Sequence, residues 1–146
     1  MPCNAPSLPG LWTTREFNAV MPPVAVLIVD DDAVIGEALA AALMAYGCRV
    51  LVTAGGFEAF AAPESWVSHV VVLDIEMPDF DGFSVARAMR GSTRFARVPI
   101  VAHSSLAEAE IRERGLEVKI DAFYRKGEAL HGLLQMIEYL APVRPL

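Results

Sequence analysis

Hydrophobic residues fall along this chain in two alternating rhythms. Val24-Ala25-Val26-Leu27-Ile28-Val29 is an unbroken apolar run, as expected of a strand buried on both faces. Just after it, apolar residues recur at Ile35, Leu39, Ala42, Leu43 and Tyr46. That spacing predicts a helix over residues 33–46. Asp32 serves as its N-cap and Gly47 as its stop. The alternation then repeats. Residues 48–52, 69–73, 98–103 and 122–125 read as strands. A short helix runs from Gly55-Gly56 to about residue 62 and is ended by Pro63, and a longer one covers 83–90. Ser105-Leu106-Ala107-Glu108 has capping-box spacing and opens a helix ending near Gly115. The last helix spans 128–140, with Leu130, Leu133, Leu134, Ile137 and Leu140 or Ala141 as its stripe.

Five β/α units predict a parallel sheet with helices on both faces and right-handed crossovers. The loops after the strands then share one edge, and such an edge carries the site in open α/β sheets. Residues 1–22 do not follow the rhythm. They carry Pro2, Pro6, Pro9 and Pro22, with Pro23 adjoining, and read as a flexible extension or as an arm lying on the domain. Met21 directly precedes the first strand and is a candidate translation start. A core over 23–141 and a short tail over 142–146 complete the expected organisation.

Composition narrows the possibilities. The chain has 146 residues, 54% of them hydrophobic, and a formal net charge of −6. It is too apolar for a disordered chain. Its acidity opposes sequence-independent binding of nucleic acid, which needs a basic face. No apolar run approaches the ~20 residues of a membrane-spanning helix. The first residues lack the basic and then apolar segments of a secretory signal, so a cytoplasmic location is expected. Cys3 and Cys48 show no metal-binding spacing. They read as a tail thiol and a buried strand residue rather than as a disulfide.

The expected sheet edge collects chemistry. Strand 1 ends in Asp30-Asp31-Asp32, strand 3 in Asp74, strand 4 in Ser104 and strand 5 in Lys126. Clustered carboxylates repel unless a cation bridges them. Mg²⁺ suits hard oxygen ligands and keeps room for phosphate oxygens. A carboxylate beside it can act as a nucleophile toward a phosphoryl group, with a lysine offsetting the charge.

Four segments carry a resemblance in their order. They are Val29-Asp30-Asp31, Leu73-Asp74-Ile75-Glu76-Met77-Pro78-Asp79-Phe80-Asp81-Gly82, Pro99-Ile100-Val101-Ala102-His103-Ser104-Ser105 and Phe123-Tyr124-Arg125-Lys126. Together they resemble a response-regulator receiver domain of two-component signalling, over Val24 to about Leu140. The resemblance implies a flavodoxin-like (βα)5 fold, doubly wound, with strand order 2-1-3-4-5. It implies Asp74 as phosphoryl acceptor. Asp30 and Asp31 would hold Mg²⁺, Asp31 most directly, with the Glu76 backbone carbonyl completing the set. Ser104 and Phe123 would be the switch residues, and Lys126 would pair with the phosphoryl group or with Asp74. The implied partners are a sensor histidine kinase or phosphotransfer protein, and a protein target on the face of helix 4, strand 5 and helix 5. A homodimer is compatible with the family. Nucleic acid and membrane insertion are not expected, nor is enzyme activity beyond self-catalysed phosphoryl transfer and dephosphorylation.

Other residues at this edge have plainer readings. Asp32 and Ser105 read as helix caps, Asp79 and Asp81 as turn formers before Gly82, His103 as a packed or partly exposed histidine, and Phe123 by itself as core. The family usually has Pro after the lysine, often with a cis bond, whereas Gly127 stands here and leaves the bond free to be trans. The segment from Gly115 to Asp121 lacks the usual Gly-Ala pair, so the adjoining face is expected to be unusual. The residues also leave two alternatives open. One is a receiver-like module that is never phosphorylated. The other is an Asp-nucleophile phosphohydrolase, since Asp30-x-Asp32 is similar to haloacid-dehalogenase-type enzymes; Ala33-Val34-Ile35 replaces their Gly-Thr-type continuation.

Overall fold

The apolar runs become the centre of a sheet. In the computed structural model, which describes residues 8–78 and 80–145, the strands are Ala25–Val29 (β1), Arg49–Thr53 (β2), Val70–Asp74 (β3), Ile100–Ser104 (β4) and Ala122–Arg125 (β5). They pair in parallel in the order β2-β1-β3-β4-β5. The helices are Ala33–Ala45 (α1), Gly56–Phe60 (α2), Gly82–Arg90 (α3), Glu108–Glu117 (α4) and Leu130–Leu140 (α5). Every residue of β1, β3 and β4 is buried, which is why these strands read as continuous apolar runs.

Successive strand residues face opposite sides of the sheet, and this splits the core in two. Leu27, Val29, Val71, Leu73 and Ala102 face Ala59 of α2, Val85 and Met89 of α3, and Ile111 of α4. Val26, Ile28, Val72 and Val101 face Ala40 and Leu43 of α1 and Leu133, Ile137 and Leu140 of α5. The register sets Asp74 of β3 beside His103 of β4, and Ser104 beside Arg125 of β5. The chemistry-bearing strand ends therefore lie level. Among the described residues no helix is long and apolar enough to cross a membrane.

Several local expectations need correction. α1 buries Gly36, Ala40 and Leu43, whereas Tyr46, outside the helix at its C-cap, is exposed. Asp32 does cap α1, accepting from the N–H groups of Val34 and Ile35 at 3.0 and 3.2 Å. Ser105 does not open α4. Its cap residue is Ala107, whose N–H reaches the Glu110 carboxylate at 3.0 Å, and α4 continues through Gly115 to Glu117. Cys48 lies just before β2, half-buried and unbridged. The Lys126–Gly127 bond is trans, with Gly127 at φ +88°.

Residues 8–20 lie along the domain. The Phe123 N–H reaches the Gly10 carbonyl at 2.8 Å, and the Trp12 and Thr13 N–H groups reach the Asp121 carbonyl at 2.8 and 3.1 Å. These bonds flank an antiparallel Leu11–Ala122 bridge, so this arm extends the open edge of β5. A second bridge joins Val20 to Val143. Pro2, Cys3, Pro6 and Asp79 lie outside the described residues.

Candidate functional site

Strand geometry delivers the acidic groups to one point. Asp30 and Asp74 leave the ends of β1 and β3 and are 2% and 1% exposed. Asp31 sits beside them in solvent, and one carboxylate oxygen from each of the three lies within 4.8 Å of the others. Local bonds fix their orientation. The Asp32 N–H donates to Asp30 Oδ1 at 2.9 Å, and the Glu76 N–H to Asp74 Oδ1 at 3.1 Å. Lys126 Nζ lies 3.0 Å from Asp74 Oδ1. The Lys126 backbone N–H donates to the Ser104 carbonyl at 2.8 Å, which ties the exit of β5 to the end of β4.

The β3–α3 loop folds back over this point. The Gly82 N–H reaches the Ile75 carbonyl at 3.1 Å. A Cβ at Gly82 would stand 2.5 Å from the Asp74 carbonyl oxygen, so only glycine permits this approach. Asp81 is more than a turn former: its Oδ1 accepts from the Ser84 N–H at 2.9 Å and caps α3.

The charges do not balance. Burial, opposed by the Lys126 hydrogen bond and reinforced by the charge of Asp30, pushes the Asp74 carboxyl up to about 6. Burial also raises Asp30, and the charge of Asp31 adds to this. Burial alone would lower Lys126, but bonding to Asp74 and the charges of Asp74, Asp30 and Glu76 keep it above its ordinary value. Among the described residues, one ammonium thus stands at a cluster of three carboxylates, two buried and one exposed, and pairs directly with Asp74. Such a hard-oxygen cluster with excess negative charge fits a divalent cation of the Mg²⁺ type.

Ser104 is fully buried, and its hydroxyl donates to Glu76 Oε1 at 2.7 Å. Ser105 adds its N–H at 2.6 Å and its hydroxyl at 2.8 Å to the same oxygen. Burial would raise the Glu76 carboxyl, but the Ser104 and Ser105 bonds outweigh it and bring it down to about 2. Glu76 therefore bridges the end of β3 and the β4–α4 loop. His103 is buried against Tyr124 with ring centroids 5.4 Å apart, and burial lowers it to about 4. Phe123 is buried and stacks on Trp12, with centroids 5.9 Å apart and planes 6° apart.

The structure thus brings Asp30, Asp31, Asp74, Glu76, Ser104 and Lys126 together, and leaves Phe123 one layer away against the arm. Asp32 is spent on capping α1, which removes the Asp30-x-Asp32 pairing as a catalytic motif. Sequence reasoning had no handle on Trp12, a lone aromatic in a proline-containing stretch. It also passed over Asp121, which collects arginines at the opposite end of the sheet.

Comparison with known proteins agrees with this geometry. A family model for the response regulator receiver domain matches residues 26–138. The gliding motility regulatory protein of Myxococcus xanthus is 35% identical over 116 residues, covering 79% of this chain and 15% of that protein. The transcriptional regulatory protein GltR of Pseudomonas aeruginosa is 32% identical over 115 residues, covering 79% of this chain and 48% of that protein. The chain spans less than half the length of these relatives. Among solved structures, the chemotaxis protein CheY4 of Vibrio cholerae superposes with a TM-score of 0.75 at 26% identity, over 83% of this chain and 99% of that one. The receiver domain of the sensor histidine kinase PA1611 of Pseudomonas aeruginosa, solved with a magnesium ion coordinated in its active site cleft, gives 0.71 at 26% identity, over 80% and 97%. With five parallel strands in the order 2-1-3-4-5 and a family model covering most of its length, this chain belongs to the response-regulator receiver domains of two-component signalling.

Proposed function

We propose that this receiver accepts a phosphoryl group on Asp74 and signals through the resulting rearrangement at Ser104. The observation that carries the reading is the Lys126–Asp74 pair at 3.0 Å inside a cluster of three carboxylates. The donor is a phosphohistidine on a sensor kinase or a phosphotransfer protein. An Asp74 carboxylate oxygen attacks phosphorus, the new O–P bond forms as the P–N bond breaks, and the electron pair returns to the imidazole. Lys126 holds its ammonium at the carboxylate and offsets charge on the incoming group. Asp30, Asp31, the Asp74 carboxylate and the Glu76 carbonyl would hold Mg²⁺, which when bound supplies further charge neutralisation on the phosphoryl oxygens.

The acyl phosphate adds acceptor oxygens and negative charge beside Ser104. The Ser104 hydroxyl then exchanges Glu76 for a phosphoryl oxygen, and the β4–α4 loop follows. Phe123 is the second switch position, and the α4–β5–α5 face is the surface whose partner affinity changes. Only a difference in affinity between the two states transmits the signal. Residues 23–141 form the receiver in this reading. The protein acts in the cytoplasm as a signalling component, with no chemistry beyond phosphoryl transfer to and from its own Asp74.

The test is incubation with acetyl phosphate, with and without Mg²⁺, followed by intact-mass measurement. The parent gains one phosphoryl group only with Mg²⁺, and Asp74→Asn gains none. A parent that gains none in Mg²⁺ removes the proposal and leaves a phosphorylation-independent binding module. Lys126→Ala is expected to lose signalling output more than Mg²⁺ affinity, and equal loss of both contradicts its assigned role.

A further inference from the structure

The face assigned to a downstream partner is already occupied. Residues 10–13 add a short antiparallel strand to β5, and Trp12 is buried against both elements that flank it. Its ring stacks on Phe123 of β5, and its Nε1–H donates to Glu108 Oε2 of α4 at 2.6 Å.

The socket is shaped for this segment. A Cβ on Gly115 would run into the Trp12 ring, and one on Gly10 would run into the Phe123 carbonyl oxygen. Gly10 also sits at φ +86°. The seat is open in one place: a groove of about 480 Å³, lined by Leu8, Pro9, Phe123 and Met136 among others, lies beside residues 8–10, while Phe17 packs on Tyr139 of α5 with centroids 6.2 Å apart. Behind Trp12 the arm is anchored elsewhere, through Arg15 Nε to Asp121 Oδ1 at 2.8 Å.

We propose that residues 8–12 are an internal occupant of the α4–β5–α5 face, displaced when Asp74 is loaded, so that a partner strand can take the β5 edge. The coupling runs through shared supports and rests on the reading of Asp74 as acceptor. Glu108 lies in the first turn of α4, directly after the loop that Ser104 and Ser105 hold on Glu76. The Ser104 hydroxyl also accepts from the Leu106 N–H at 3.0 Å, so its turn from Glu76 toward a phosphoryl oxygen draws on that loop. A shift of the loop carries Glu108 away from Trp12, while Phe123 follows β5. Packed elements of this kind switch between discrete arrangements. Binding of the arm and loading of the site then oppose each other reciprocally.

Acrylamide quenching of Trp12, in the full chain carrying Trp66→Phe, reads the contact directly. Beryllofluoride with Mg²⁺ loads the site, and fluorine NMR reports the loading independently. The expected result is a several-fold rise in the Trp12 quenching constant on loading. In Gly115→Ala the quenching is expected to be high before loading, and half-saturation is expected at several-fold lower beryllofluoride. Glu108→Ala is expected to move both readouts in the same direction by less, and it serves if Gly115→Ala does not fold. A loaded site with unchanged Trp12 quenching overturns the proposal and leaves the Asp74 reading intact. Loading in Gly115→Ala or Glu108→Ala but not in the parent supports it. No loading in the parent or either variant sinks the Asp74 reading and the coupling with it.

Discussion

Asp74 and Asp121 are both buried carboxylates next to strand ends, 1% and 2% exposed, yet they sit in opposite electrostatic circumstances. Asp121, at the start of β5, accepts from Arg15 Nε at 2.8 Å, Arg90 Nη2 at 2.9 Å and the Ile100 N–H at 2.9 Å. Arg90 in turn donates to the backbone carbonyls of Phe95, Val98 and Lys119. Two guanidinium groups close around one carboxylate. At the other end of the sheet, among the described residues, one ammonium pairs with Asp74 in a cluster of three carboxylates. Burial alone does not separate a structural acid from a reactive one. The local charge balance does: the satisfied end holds the fold, and the unsatisfied end is where the proposed cation and phosphoryl group would be taken up.

The largest expected effect lies at the satisfied end. Asp121→Ala strands Arg90 and the Ile100 N–H, and removing one partner of a buried ion pair costs about 3–5 kcal/mol. Asp74→Asn is expected to be neutral or stabilising near neutral pH without metal, because burial holds the Asp74 carboxyl above its ordinary range. Urea denaturation of both variants checks the contrast, and comparable losses would erase it.

Next in size is the response to metal. At a hundredfold excess over Kd, Mg²⁺ is expected to stabilise the parent by about 2.7 kcal/mol by mass action. Thermal melts should show this shift vanishing in Asp31→Asn and surviving in Arg15→Ala. An equal shift in all three would mean that the ion binds elsewhere.

A smaller, signed effect distinguishes the two titrating groups at the reactive end. Asp74 is raised to about 6 when folded, against about 3.9 for an unfolded aspartate. Its contribution to stability is therefore present below about pH 4 and is lost as pH rises through about 6. Without metal, Asp74→Asn should gain on the parent over that interval. His103 is lowered to about 4, against about 6.5 unfolded, so its contribution is present above pH 6.5 and is lost as pH falls toward 4. His103→Gln should lose less than the parent on acidification. Urea midpoints at intervals between pH 4 and 7.5 separate the two slopes.

The smallest effect expected is that of Arg15→Ala, about 1 kcal/mol or less, because its side chain is 38% exposed and ion pairs near solvent are weak. Loss of several kcal/mol would show that the arm contributes more to the fold than its exposed anchor suggests.

The two ends also differ in how well sequence revealed them. β1, β3 and β4 were legible because burial on both faces leaves an apolar run, and each run ends at a residue of the site. Asp30, Asp31, Asp74, Ser104 and Lys126 follow from that geometry together with the family resemblance. Asp121 was not legible, since Arg15 and Arg90 reach it from distant segments through long side chains. Ser105 had the spacing of a cap, but its hydroxyl found the stronger acceptor in Glu76. Trp12 was hidden for a related reason. Its socket is the absence of a side chain at Gly115, inside a helix expected to end there, and neither periodicity nor spacing registers an absence.

The central claim is that the unsatisfied carboxylate cluster directs phosphoryl chemistry to Asp74. Fragmentation mass spectrometry of the chain after Mg²⁺ and acetyl phosphate tests it most directly. The prediction is a single labile acyl phosphate on Asp74. A phosphoryl group on Asp30, or on no aspartate at all, would contradict it.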